Sequence, residues 1–296
     1  MTINEQTLPG EPITSWVSNI KVACYGDYGT GKSTFGIRSA RMRPNKTVII
    51  LNTEPYENLD QILNGYPDVR SRTRIIPTKQ QADEIKVKGD KLDITYEHGH
   101  ELALAQFLLG EIKKLVSLPY EQISKLFVVF DTASFVYKHL MHQTMEDVAS
   151  GRINQARAQF AYGTPKRKFN IMIERLMKAP TDVVVLGRSD PTGRKEQGKG
   201  FEYDGGQRPE WDAHKTKSKI WYDATTIIEL NKGERLIRKP EGGWELVDPE
   251  NLPGEQRKEL VWWAKILKHK TKFKEVPVFW DPTPEEIFLW LNQQSS

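Results

Sequence analysis

Residues 26–33 read Gly-Asp-Tyr-Gly-Thr-Gly-Lys-Ser, and no other stretch restricts the possible folds of this chain as tightly. Three glycines let the backbone turn so sharply that successive N–H groups point inward at one spot. Lys21–Tyr25 in front is a short apolar run of strand type, and Thr34–Arg41 behind is able to open a helix. Strand, glycine turn, helix is the context in which the spacing G-x-x-x-x-G-K-[ST] becomes a phosphate-binding loop. The start of the helix adds unpaired donors and partial positive charge. In this reading Gly26, Asp27, Tyr28, Gly29, Thr30, Gly31, Lys32, Ser33 and Thr34 surround the phosphates of ATP. Lys32 reaches the β- and γ-phosphates, and the Ser33 hydroxyl is a ligand of Mg²⁺.

A phosphate loop of this kind predicts parallel strands alternating with helices, and the rest of the chain supplies them. Thr47–Thr53, Leu126–Asp131 and Thr181–Arg188 are nearly unbroken apolar runs, the signature of strands buried on both faces. Arg74–Pro77 and Ile220–Leu230 are further strand candidates, with a hairpin turn at Asn231–Gly233 leading into Arg235–Arg238. Glu101–Leu115 and Arg167–Ala179 carry apolar residues at helical spacing. The expected fold is α/β, a doubly wound and mostly parallel sheet with right-handed crossovers. Residues 79–99 are strongly charged and read as an exposed insertion; residues 189–219 read as a mobile basic loop or loose hairpin. The last helix has Thr283 as cap, Pro284 at its first position and two acids behind. Trp262, Trp263, Trp280 and Trp290 are expected to pack a small C-terminal core. Three parts follow: an N-terminal segment 1–18, a core 19–238 and a C-terminal extension 239–296 that ends in the helix.

Composition narrows the partners. A net charge of +4, from 43 basic and 39 acidic residues, does not by itself announce a nucleic-acid protein. Any such contact must come from local clusters. The single cysteine, Cys24, sits in the apolar run before the loop and reads as a buried strand residue. Met1–Glu11 is polar, unlike a signal peptide, and no apolar run approaches the length of a membrane span, so the expected location is the cytoplasm (a host's, if the protein is viral). His98 and His100, like His139 and His142, lack the cysteine or glutamate partners of a zinc motif.

Downstream of a phosphate loop, a buried strand that ends in Asp131 is the expected second Mg²⁺ site, because it delivers a carboxylate to the sheet edge beside the loop. The ordered set comprises the loop, a strand ending in Glu54, one ending in Asp131, and one ending in Arg188 before a basic glycine-rich stretch. Over roughly residues 20–235 this set resembles the RecA-like P-loop ATPases, and among them the phage-type nucleotide-binding proteins that include single-strand annealing recombinases. The resemblance implies Mg-dependent ATP hydrolysis with Lys32, Glu54 and Asp131 as the catalytic set. Glu54 takes the position of the acid that polarises the attacking water. Arg188 stands where the better-known recombinases carry an amide that senses the γ-phosphate, a departure from the pattern; it is expected among the nucleotide-binding residues, contacting the γ-phosphate, with action across a subunit interface or a solvated side chain as the alternatives. The resemblance also implies single-stranded DNA as partner, held by Arg157, Lys166, Arg167 and Lys168 and by Lys215, Lys217 and Lys219. Basic groups there track a phosphate backbone while nearby aromatics stack on bases. It further implies a homo-oligomer working with other recombination or replication proteins. The rival readings are a DNA packaging or remodelling motor of the same fold, a nucleotide-gated binding module with negligible turnover, and a small-molecule kinase.

Overall fold

The computed structural model describes residues 19–54, 56–92, 98–195, 201–210, 219–234, 236–238, 244–246, 260–269, 277–280 and 283–293. In chain order the strands are β1 Lys21–Gly26, β2 Thr47–Asn52, β3 Thr73–Ile76, β4 Leu126–Asp131, β5 Asp182–Lys195, β6 Phe201–Pro209, β7 Thr226–Glu234, β8 Leu236–Arg238, β9 Trp244–Leu246, β10 Leu260–Lys268 and β11 Val278–Trp280. The helices are α1 Lys32–Ser39, α2 Tyr56–Asn64, α3 Pro67–Arg70, α4 Lys79–Asp90, α5 Gly99–Val116, α6 Tyr120–Ile123, α7 Ala133–Ala149, α8 Ala158–Lys178, α9 Lys219–Asp223 and α10 Pro284–Gln293.

Strand order across the main sheet is β11-β10-β7-β1-β5-β4-β2-β3. The six strands from β7 to β3 are parallel, and β10 and β11 add antiparallel at one side. The doubly wound, mostly parallel α/β fold expected from the sequence is therefore the fold observed. Apolar side chains alternate between the two faces. Ala23, Tyr25, Val128, Phe130, Val183 and Val185 pack under α5, α7 and α8. Val22, Cys24, Val129, Val184 and Leu186 pack against Phe35 and Ile37 of α1, Leu59 of α2 and Phe288 of α10. Register brings the strand ends level: Gly26 pairs with Arg188, and Asn52 with Asp131. β1, β2 and β4 thus end level at one edge, where β5 carries Arg188 before running on to Lys195.

Several local readings change. Residues 79–90 form α4, started by a reciprocal cap in which Thr78 and Gln81 satisfy each other's backbone N–H; its charges occupy an exposed face while Ile85 and Gly89 are buried. The run from Ile220 begins as α9 and becomes strand only at Thr226. Short apolar runs do not distinguish helix from strand by period, and here Ile220 is buried under α8. Asn231–Gly233 is not a hairpin turn: β7 runs straight through it because β10 pairs with it, Asn231 opposite Trp263. The basic stretch after Arg188 is a hairpin over its described part, with β6 antiparallel to the outer half of β5. Thr283 does cap α10, its hydroxyl accepting from the Glu286 N–H at 3.2 Å. The buried residues of β10 and α10 belong to the cluster that holds α1. Phe279 and Trp290 meet edge to face beside it.

Candidate nucleotide site

The phosphate loop begins where β1 runs out between β5 and β7. At Gly26 the chain passes so close to β7 that a Cβ would sit 2.1 Å from the Leu230 carbonyl oxygen. Gly31, at φ 78°, is the left-handed residue from which α1 starts. The loop closes on itself through Thr30, whose hydroxyl donates to the Asp27 carbonyl at 2.9 Å. Lys32 turns into this loop, with Nζ 2.5 Å from the same carbonyl and 3.4 Å from the Thr30 hydroxyl. Burial holds its ammonium below the usual lysine range, against the pull of the neighbouring Asp131 carboxylate. The Ser189 hydroxyl braces the loop from β5 by donating to the Asp27 carboxylate. Tyr28 at the tip is 80% exposed.

Residues at the ends of β2 and β4, with Arg188 within β5, complete the site. Asp131, at the end of β4, is 2% exposed, and its Oδ1 has no hydrogen-bond partner. Burial pushes its pKa up to about 6, the Ser33 hydroxyl bonds to it and opposes the shift, and the like charge of Glu54 adds to it. The β2 and β4 ends are tied together: Thr53 N–H donates to the Asp131 carbonyl at 2.7 Å, and Thr132 N–H to the Thr53 hydroxyl at 2.9 Å. Asn52 brackets the backbone of Glu54, donating to its carbonyl at 2.7 Å and accepting from its N–H at 3.1 Å. Arg188 is anchored by its N–H to the Ser134 hydroxyl at 2.9 Å, and its Nη2 lies 3.2 Å from Glu54 Oε1.

These groups share one cavity of about 600 Å³, lined by Tyr28 to Thr34 of the loop with Glu54, Asp131 and Arg188. Gly26 and Asp27 stand behind it as supports. The cavity also takes in Asn52, Thr132, Arg38, Asn58, Gln61, Leu230 and Pro284, which sequence reasoning missed. Asn52 and Thr132 flank predicted strand ends and were within reach of it. Pro284 was not, since only the tertiary fold brings α10 to α1. At Ser33 and Asp131, a buried carboxylate oxygen without a partner beside a hydroxyl suits a hard divalent cation such as Mg²⁺.

The candidate nucleic-acid residues lie elsewhere. Arg157, Arg167 and Lys168 are exposed on α8 and its lead-in, Lys166 is half-buried, and none of them lines the cavity. Lys219 pairs at 3.6 Å with Glu174, which Lys178 also holds, near the amino-terminal edge of the sheet and away from the loop. Lys215 and Lys217 lie outside the described residues. His98, His139 and His142 gather with ring centroids 5.6–5.8 Å apart. Among the described residues, however, no group of three His, Cys, Asp or Glu side chains suits a metal ion. No described helix is long and apolar enough to cross a membrane.

A comparison with the curated proteins finds no match. Residues 18–251 match an AAA domain. The match spans the loop, Glu54, Asp131, Arg188 and all six parallel strands, and with it the chain belongs to the AAA domain family, a family of P-loop ATPase type.

Proposed function

We propose that this protein is a Mg-dependent ATPase of RecA-like design that binds single-stranded DNA as an oligomer, in phage-type recombination or replication. The observation that carries the hydrolytic part is Asp131: a buried carboxylate with one oxygen unpartnered, beside Ser33 and facing the same cavity as Lys32 and Glu54. The loop N–H groups and Lys32 bind the phosphate tail of ATP. Ser33 and Asp131 would hold Mg²⁺, which would neutralise phosphate charge there. Glu54 orients a water for in-line attack on the γ-phosphorus and accepts its proton, while the bond from that phosphorus to the β–γ bridging oxygen breaks and ADP leaves. Its backbone is bracketed by Asn52, and Arg188 holds its carboxylate at the cavity wall. Replacing Glu54 by Gln is expected to spare ATP binding and lower turnover roughly 10²–10⁴-fold. Turnover at the parental rate in Glu54→Gln would remove Glu54 from this role.

Support for the DNA partner comes from α8. Phe160 is 82% exposed, with Arg157, Arg167 and Lys168 exposed on the same segment. An exposed ring among cations suits unpaired bases, which offer a stacking face and a charged backbone together. The test is the ATPase rate with and without single-stranded DNA, beside a salt series of binding to single and double strands. A steep salt slope for single strands supports the reading. Equal slopes favour a motor on duplex DNA, and no turnover under either condition favours a nucleotide-gated binding module.

A further inference from the structure

The family match ends at residue 251, yet Pro284 lines the same cavity as Lys32 and Asp131. Helix α1 explains how. It leads away from the phosphate loop, and both α2 and α10 pack on it. Thr34 and Arg38, one turn apart on α1, line the cavity, as do Ile62 of α2 and Pro284 of α10. The cavity therefore extends beyond the loop as a slot along α1, where Leu59 and Ile62 of α2 and Pro284 of α10 supply apolar surface and Asn58 and Gln61 of α2 supply polar groups. At its other end Glu54, Asp131 and Arg188 gather the charge. A polyphosphate seated on the loop with its terminal phosphate at that charged end sends the rest of the molecule into the slot.

Helix α10 is held firmly enough to serve as a wall. Thr283 and Glu286 cap its start reciprocally, at 3.2 and 3.3 Å. Ile287, Phe288 and Leu291 are buried with Phe35 and Ile37 of α1. Arg38 Nε lies 2.9 Å from Glu285 Oε2, an ion pair at an angle that does not make it a hydrogen bond. Arg41 Nη1 stands 4.0 Å from the other oxygen of Glu285.

We propose that the C-terminal segment supplies the base-side wall of the nucleotide site, with Pro284 and Ile62 clamping the nucleobase of a nucleoside triphosphate over Thr34 and Arg38. This rests on the phosphate-binding reading above. Apolar surface at Ile62 and Pro284 grips the faces of a base, so the slot distinguishes a nucleotide from bare polyphosphate. The experiment is calorimetric titration of the full chain with ATP, GTP and inorganic tripolyphosphate in the presence of Mg²⁺. Both nucleotides are expected to bind roughly 10- to 100-fold more tightly than tripolyphosphate, the range that stacking a base on protein supplies. Pro284→Glu keeps a residue suited to a helix start while placing a carboxylate at the slot; Ile62→Gln alters the opposite wall. Each is expected to bring ATP to within a few-fold of tripolyphosphate and to leave tripolyphosphate unchanged. Should Pro284→Glu lose both ligands together, Ile62→Gln decides by the same ratio. An ATP preference unchanged in the variants, or ATP binding the parent no better than tripolyphosphate, overturns the inference and leaves the phosphate site standing. A parent chain that binds neither ligand overturns the phosphate site itself.

Discussion

Asp131 and Asp182 are buried aspartates on adjoining strands, at opposite edges of the same sheet. Asp182 opens β5 with its side chain fully enclosed, and every direction is answered. The Ile20 N–H donates to it at 2.6 Å, Arg43 Nε lies at 3.1 Å and Lys46 Nζ at 2.7 Å. Asp131 closes β4 nearly as deeply, with Oδ1 unpartnered and a second carboxylate, Glu54, in the same cavity. Burial alone therefore says little about purpose. A buried charge with all its partners in place ties strands and loops together, whereas one left open at a cavity is a candidate to take a ligand that the chain does not provide.

The contrast breaks most sharply in stability measurements. Asp182→Asn is expected to lower unfolding free energy by about 3–5 kcal/mol in urea titrations, because it strands Arg43 and Lys46 without their counter-charge. Asp131→Asn, without metal and at pH 7.5, is expected to move the other way and stabilise by about 1–3 kcal/mol. The sign follows from titration. Burial lifts the Asp131 pKa from 3.8 to about 6, so its contribution to stability is intact below pH 3.8 and is lost as pH rises through about 6. The gap between parent and Asp131→Asn should accordingly open across that window and stay constant above it. A variant that loses stability at pH 7.5 would place Asp131 in the same structural class as Asp182.

Metal affinity sharpens the comparison next. Mg²⁺ must displace the Asp131 proton at low pH, so its affinity should rise roughly tenfold per pH unit up to about 6 and then level off. Proton release on titration with Mg²⁺ measures this directly, and in Asp182→Asn the profile should be unchanged. The smallest effect belongs to Arg188, whose ion pair with Glu54 is partly solvated. Arg188→Gln should leave stability within about 0.5 kcal/mol while reducing the preference for ATP over ADP several-fold in calorimetry.

Much of the site was legible in one dimension because its parts are local or lie at strand ends. Lys32 and Ser33 follow from a contiguous turn, and Asp131 from an apolar run that stops at an acid. The misreadings share a cause. Ile220–Asp223 is helix because α8 covers it, and Asn231–Gly233 is strand because β10 pairs with it, both decided by partners distant in sequence. The helix α4 inside the charged insertion was not singled out although its Thr78–Gln81 cap is written in the sequence, since its charges obscure the apolar spacing. His98 joins His139 and His142 only because α5 packs on α7.

By itself the sequence determined the phosphate turn, the alternation of buried strands with helices, and the acids waiting at their ends, because backbone bending and hydrophobic runs act between near neighbours. Only the tertiary structure decided that Arg188 leans on Glu54, that Asp182 is satisfied while Asp131 is not, and that Pro284 reaches the cavity from the far end of the chain. Those outcomes depend on which surfaces meet across the sheet, and a pairing between residues separated by most of the chain leaves no local pattern to read.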